Sequence, residues 1–281
     1  MERTVDLQTH STRSDGTLTP TEIVERADER GLTAVALTDH DTVDGLEAFQ
    51  QAGREHGVET VPGIELSTRV NRQDVDVLGY FVDPDDATLR DIIERAQAYR
   101  RERAPRMLDR LQDEGFPLEL DRVEAIAGEA PIGRPHVAQA LVEAGFLESV
   151  DQAFEELIGE GQPAYVPKER LDPPEAIEAI HAAGGVAVFA HPSHVHPAAF
   201  PRVLEHLVEA GIDGIEVWHS DHDPTHEAFF TQQAEQHDLV RTGGSDFHGD
   251  NKPDIELGEG RGRLEVPYET LEELRERAGA A

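Results

Sequence analysis

Short apolar segments alternate with stretches of helical periodicity near both ends of the chain. Residues 4–7 read as a strand, and residues 20–30 as a helix opened by a Thr19–Glu22 capping box with Pro20 at its first position and Gly31 at its end. A strand at 34–38 and a helix at 43–56, opened by Asp41 or Thr42, come next. Strand patterns follow at 59–61, 64–67 and 75–82, which establishes a βαβ rhythm. After Asp83 the rhythm stops. From there to Val166 the chain reads as helices with short loops: residues 90–111 with a Pro105 interruption, 137–144 and 152–158. Alternation then resumes, with a helix at 175–183 closed by Gly184 and Gly185, a strand at 186–190 and a helix at 198–210. A strand at 214–218, a helix at 225–237, a strand at 239–242 and a helix at 268–278 complete the series. The pattern predicts an α/β domain formed by residues 1–83 and 167–281, interrupted by a helical insertion or lid at 84–166.

Charge narrows the function classes. The 281 residues carry 58 Asp and Glu against 25 Lys and Arg, a formal charge of −33, and only Lys168 and Lys252 are lysines. A field this acidic opposes binding to the phosphates of a long duplex. Carboxylate-rich, lysine-poor surfaces suit a cytoplasm of molar salt, where the Debye length is about 3 Å, so a halophile's protein is expected. With 38% hydrophobic residues the chain can build a core. The absence of cysteine removes disulfides, thiolate ligands and Cys nucleophiles, so any metal must sit on His, Asp and Glu with neutral oxygens in support. No apolar run resembles a signal peptide or membrane span, which makes a cytoplasmic, membrane-free location the expectation.

Polar clusters fall just past the expected C-terminal ends of strands. Gln8 and His10 follow the first strand, and Asp39, His40 and Asp41 the second. Glu65 lies in GIELS, Asp76 in DVDVLGY, His191 after VAVFA, His219 after IEVW, and Asp246 with His248 after LVRTGGS. In a parallel barrel these ends converge on one face, where the active site lies. One such histidine is ordinarily a structural or surface residue, but this many strand ends finishing in His, Asp or Glu are poorly explained by packing. Alternation on extended chain lets Asp246 and His248 reach one metal cluster, and a bridging carboxylate such as Glu65 suits two cations about 3.5 to 4 Å apart. Asp41 either orients a ligand or, the preferred reading, caps the next helix. Trp218 reads as core packing, and the other histidines as surface or loop residues, with His194 set apart because it closes the HPSH turn after His191.

The segments DLQTHSTRSDGTLTP, LTDHDTVDG, PGIELS, DVDVLGY, FAHP, EVWHS and GGSDFHG, in that order along nearly the whole chain, resemble the PHP (polymerase and histidinol phosphatase) phosphoesterases. The resemblance implies a distorted seven-stranded β/α barrel with a helical insertion and two or three divalent metal ions per chain, Mn, Zn, Fe or Mg. It is greatest to the branch that hydrolyses nucleoside 3′,5′-bisphosphates and trims short RNA 5′ ends, whose insert carries an Arg-Pro-His element, here Arg134, Pro135 and His136. Carried over, it implies one metal at Gln8, His10, Glu65 and Asp246, a second at Glu65, Asp76 and His191, and a third at Asp15, His40 and His248. Two positions depart from the family: Gln8 and Asp76 stand where it has His. Gln is a weak neutral donor and Asp a hard anionic one, which shifts the expected preference towards harder ions such as Mn or Mg.

The expected chemistry is in-line attack on phosphorus by a metal-bound hydroxide. Arg134 and His136 offer phosphate donors or are a plain helix start; His219 donates to phosphate or to a ligand, or simply ends its strand. The expected substrate is a small phosphorylated molecule, a nucleotide or short RNA; another small ester such as histidinol phosphate, or a catalytically weakened nucleotide sensor, is the alternative. Amidohydrolases on a similar barrel often bridge their metals with a carboxylated lysine, and Lys168 and Lys252 lie outside the strand-end clusters.

Overall fold

A computed structural model describes residues 4–128, 132–167 and 169–279; Lys168 lies outside the described residues. Its elements form two compact units, residues 1–93 with 171–281, and residues 94–170.

The first unit is built on β1 (Thr4–Asp6), β2 (Ala34–Leu37), β3 (Glu59–Val70), β4 (Gln73–Tyr80), β5 (Val186–Phe189), β6 (Gly214–His219), β7 (Val240–Gly244) and β8 (Val266–Pro267). The strands hydrogen-bond in the order β7-β6-β5-β4-β3-β2-β1-β8. Helices α1 (Pro20–Glu29) and α2 (Leu46–His56) connect the early strands. The fold is therefore a mixed α/β sheet of eight strands among the described residues, not seven. The additional strand, β8, is two residues long and pairs antiparallel with β1, too short to leave a periodic signal. The expected gap at Pro62 is also absent: β3 runs unbroken for twelve residues, and Pro62 accepts a bond from Phe81 N through its carbonyl.

The sheet curls nearly shut. Leu7 N donates to Gly243 O at 3.2 Å, Asp246 N donates to Gln8 O at 3.0 Å, and Thr9 bridges to Phe247 beyond β7. Only glycine permits this approach at Gly244, because a Cβ there would lie 2.3 Å from Gln8 N. Inside the closed sheet the Tyr80 hydroxyl donates to Leu7 O at 2.9 Å, joining two strands that are not neighbours in it.

Strand direction decides where the polar residues go. β1–β2–β3 and β5–β6–β7 are parallel within each set, but β4 is antiparallel to both β3 and β5. The N-terminal half of β4 therefore lies at the face where the other long strands end. That reversal brings Asp76, opposite Ser67 on β3, to the level of the strand-end residues. The capping box at Thr19 and Glu22 is formed as the sequence predicts. Helices α7 (Pro173–Ala182), α8 (Phe200–Glu209), α9 (Pro224–His237) and α10 (Glu269–Ala278) complete the unit.

The second unit contains most of α3 (Ala87–Asp113), with α4 (Leu120–Ala127), α5 (Arg134–Glu143) and α6 (Val150–Ala153), which runs into a π-helical turn at Phe154–Ile158. Helix α3 continues through Pro105 instead of stopping there, because proline's missing N–H removes one helical bond while the flanking turns persist. A separate core around Leu111, Val123, Leu141 and Ile158 holds these helices together. No helix among the described residues is long and apolar enough to cross a membrane.

Candidate metal centre

Six segments of the first unit place imidazoles or carboxylates along one pocket of about 390 Å³. The chain leaving β1 carries Gln8 and His10, both fully buried. It then turns back through Gly16, where any Cβ would meet His10 O at 2.1 Å, and this turn presents Asp15. His40 follows β2 and is bridged to Glu65 of β3. His191 follows β5, His219 ends β6, and Asp246 and His248 follow β7. Asp246 and His191 adopt positive φ values of 59° and 27°, unusual for non-glycine residues and observed here where the chain must aim a side chain at the pocket.

Glu65 is the hub. Its Oε2 lies 3.1 Å from His10 Nε2 and accepts from Gln8 Nε2 at 3.0 Å, while its Oε1 lies 3.0 Å from His191 Nε2 and 3.9 Å from His40 Nδ1. His10 Nε2 also lies 3.2 Å from Asp246 Oδ1. Asp15 reaches His248 at 3.3 Å, His10 at 3.7 Å and His40 at 3.8 Å. Asp76 lies 4.0 Å from His191. Among the described residues four groups have possible ligand atoms within 4.8 Å of one another: His10 with Glu65 and Asp246; Glu65 with Asp76 and His191; Asp15, His40 and His248 with His10; and, beside them, His194 with His219 and Asp221. Every metal-ligand candidate from the sequence is thus in this cluster, with Gln8 held against it through its amide N–H.

The donors fit divalent cations. Buried atoms Gln8 Oε1, His40 Nδ1 and Asp76 Oδ1 have no hydrogen-bond partner, a costly arrangement unless something else binds them. The charge balance agrees. Burial disfavours a charged His10 and His191, yet hydrogen bonds and attraction from Glu65 and Asp246 outweigh it, raising His10 well above its ordinary value and His191 to about 10. Burial likewise opposes ionised Glu65 and Asp246, but the neighbouring imidazoles hold both carboxyls well below the usual range. Such a site is short of positive charge, and imidazole with carboxylate is a donor set for Zn, Mn or Fe.

His219 is buried and its Nδ1 accepts from Asp221 N at 3.1 Å, which leaves the proton on Nε2, 3.7 Å from Asp246 Oδ2. Burial lowers its pKa, so it stays a neutral donor. Arg134 and His136 belong to the second unit. The Arg134 guanidinium lies over the rings of Phe154 and Tyr165 at 5.4 and 5.7 Å, and His136 Nδ1 accepts from Gly133 N at 3.0 Å, capping α5.

Several residues depart from the sequence reading. Lys252, expected outside the strand-end clusters, lines the pocket and pairs with Asp246 Oδ2, because the turn after His248 folds the chain back over the site. Asp41 caps no helix: α2 starts at Leu46 with Gly45 as its N-cap, and the Asp41 carboxylate instead accepts from Ser67 N at 3.0 Å, fixing β3 beside Glu65. Asp39 holds Ser11 through its N and Oγ at 2.7 and 2.6 Å, bracing the turn that carries Asp15. Glu216 carries no sequence signal, since Ile215 and Val217 beside it are buried too and no alternation marks an inward face. It accepts from His191 N at 2.8 Å, and burial pushes its carboxyl well above the usual range. His194 lines the pocket and pairs with Asp221 at 2.9 Å.

A nearly closed α/β sheet whose strand ends surround adjoining imidazole and carboxylate groups defines a metal-dependent hydrolase of the barrel class. Residues 6–116 match the PHP domain model. The chain is 34% identical over 250 residues to a 5′-3′ exoribonuclease of Haemophilus influenzae, covering 88% of this chain and 91% of that one. It is 32% identical over 257 residues to a 3′,5′-nucleoside bisphosphate phosphatase of Chromobacterium violaceum, covering 90% of each. A solved structure from Bifidobacterium adolescentis, provisionally described as a metal-dependent phosphoesterase, superposes with a TM-score of 0.76 at 33% identity over 98% of this chain and 96% of that one. The chain belongs to the PHP family and is a metal-dependent phosphoester hydrolase.

Proposed function

We propose that the protein hydrolyses phosphate esters of nucleotides, namely nucleoside 3′,5′-bisphosphates, the 5′ ends of short oligoribonucleotides, or both. The observation that carries this reading is the sharing of Glu65 and His10 between adjoining donor groups in a chain similar over about nine-tenths of its length to the two named relatives. His10, Glu65 and Asp246, with Gln8 at their edge, would hold one cation; Glu65, Asp76 and His191 a second; and Asp15, His40 and His248 a third. Divalent cations there would supply Lewis acidity towards phosphoryl oxygens and activate water.

The chain's own groups do the rest. His219 presents its Nε2–H to a phosphoryl or leaving oxygen, and its neutral state keeps that proton in place at pH 7. The Lys252 ammonium on Asp246 adds a positive charge beside bound phosphate. Asp39 and Asp41 hold backbone amides so that Asp15 and Glu65 need not reorganise when substrate arrives. Arg134 and His136 are proposed as phosphate-binding side chains, the planar guanidinium held in place against two aromatic faces. Gln8 and the anionic Asp76 favour Mn or Mg over Zn. The charge of −33 with two lysines supports work in a cytoplasm of high salt.

The test is phosphate release from adenosine 3′,5′-bisphosphate in high KCl after stripping and restoring Mn, Mg or Zn singly, with Asp246→Ala alongside. Metal-dependent turnover that vanishes in the folded variant supports the reading. No turnover of bisphosphate or of a 5′-phosphorylated oligoribonucleotide with any metal overturns it.

A further inference from the structure

Glu216 is fully buried, and the chemistry described above gives it no part. Its direction comes from an irregularity in β6. Glu216 pairs with Thr242, Trp218 with Gly243 and His219 with Gly244, so Val217 is an extra residue that has no counterpart on β7. Such a bulge shifts the alternation of faces by one. Glu216 and His219 stand three residues apart and would otherwise point to opposite faces; the bulge turns both to the side on which Asp246 lies. The Val217 carbonyl at the bulge accepts from His222 Nδ1 at 2.8 Å.

As a piece of core Glu216 is poorly placed. Its Oε1 is buried without a hydrogen-bond partner, and so is Oγ1 of Thr242, its neighbour across β7. A buried carboxyl so incompletely matched stabilises a fold less than an apolar side chain of similar size. What it does hold is specific. Its Oε2 accepts from His191 N at 2.8 Å, and His191 has φ 27° and ψ 61°. A backbone conformation this sparsely populated persists only where the surroundings fix it. Two more bonds secure the same stretch: His194 N donates to His191 O at 2.9 Å, and Ala190 N donates to Asp76 O at 3.1 Å. The His191 ring then brings Nε2 to 3.0 Å from Glu65 Oε1 and 4.0 Å from Asp76 Oδ2. Asp39 and Asp41, also outside the ligand set, hold the amides of Ser11 and Ser67 in the same manner.

We infer that Glu216 is a positioning residue for the cation held by Glu65, Asp76 and His191: by accepting from the His191 amide it fixes the backbone that aims the imidazole at that ion. It acts through His191 and is not itself a ligand. The inference rests on the metal-centre reading above and extends it to a residue outside the donor set.

The test titrates Mn²⁺ into the stripped chain in high KCl, follows the free ion by its paramagnetic resonance, and measures urea unfolding alongside. Outer-shell partners of ligating histidines commonly contribute about 10- to 100-fold to metal affinity. Glu216→Leu removes the acceptor at similar volume. It is expected to weaken, by about tenfold or more, the Mn²⁺ site that His191→Ala abolishes, and to leave the remaining equivalents unchanged. Glu216→Met carries the same expectation should the branched side chain not fold. Glu216→Gln keeps an oxygen for His191 N and can donate its amide to Thr242 Oγ1, so it should bind within about threefold of the unaltered chain. Val217→Ala removes buried methyl groups from the same strand and should lower the urea midpoint without changing Mn²⁺ affinity. Equal weakening in the Gln and Leu variants, or affinity that simply follows the urea midpoint across all of them, overturns the positioning role. A site lost in His191→Ala but intact in the folded Leu or Met variant also overturns it and leaves the metal reading standing. If the unaltered chain binds no Mn²⁺, or His191→Ala binds as well as it does, the metal reading fails and the inference fails with it.

Discussion

Glu65→Gln tests whether one carboxylate serves two cations. Its two oxygens face different partners: Oε2 lies 3.1 Å from His10, and Oε1 lies 3.0 Å from His191. The amide removes the charge from both sides and turns one oxygen into an N–H₂ that faces an imidazole instead of accepting from it. Asp15, by contrast, belongs to a single donor group, facing the imidazoles of His248, His10 and His40. The expectation is that Glu65→Gln loses twice as many equivalents of bound metal as Asp15→Asn. A loss of about 4 kcal/mol in transition-state charge stabilisation lowers kcat/KM by about three decades at 1.36 kcal/mol per decade. Metal content is read by mass spectrometry after dialysis in high KCl, turnover by phosphate release, and folding by circular dichroism. Glu65→Gln that keeps all its metal, or loses no more than Asp15→Asn, would falsify the bridging role.

Other changes separate the remaining groups. His222 is buried, and burial with the nearby His219 lowers its pKa from 6.5 to about 3. A base with a depressed folded pKa contributes stability above pH 6.5 that is lost as pH falls towards 3, so this residue alone costs about 2 kcal/mol between pH 6.5 and 5 at 1.36 kcal/mol per unit. Urea unfolding of His222→Gln should show a pH dependence shallower by that amount, and identical slopes in both proteins would refute the assignment. Gln8→His should tighten zinc binding by about tenfold or more relative to manganese, read by competition with a chelating dye, since it replaces a neutral oxygen with an imidazole. Lys252→Met should raise KM for phosphate esters about five- to tenfold without loss of bound metal, because the ammonium on Asp246 opposes cations while attracting phosphate; a loss of metal would show that the lysine supports the cluster instead.

What could be read in the chain beforehand follows from how each feature is encoded. Strand ends finishing in His, Asp and Glu are local patterns, so His10, His40, Glu65, His191 and Asp246 were legible, as was the capping box at Thr19. Long-range closure was not, and Lys252 shows the cost: its place on Asp246 depends on a turn after His248 that has no periodic signature. Glu216 was hidden because β6 is apolar on both faces, and Asp41 looked like a helix cap until α2 proved to begin several residues later. Pro62 and Pro105 looked like breaks but removed only one donor each from otherwise sustained elements.

The reversal of β4 explains why the family pattern works on this chain. In an all-parallel barrel, a residue in the N-terminal half of a strand lies at the face opposite the active site. Asp76 stands there in β4, the fourth of eight positions, and would be remote from every strand-end ligand if β4 ran with its neighbours. Because β4 is antiparallel to β3 and β5, Asp76 pairs across Ser67 and comes within 4.0 Å of His191. One topological choice thus supplies the carboxylate that completes the Glu65–His191 group.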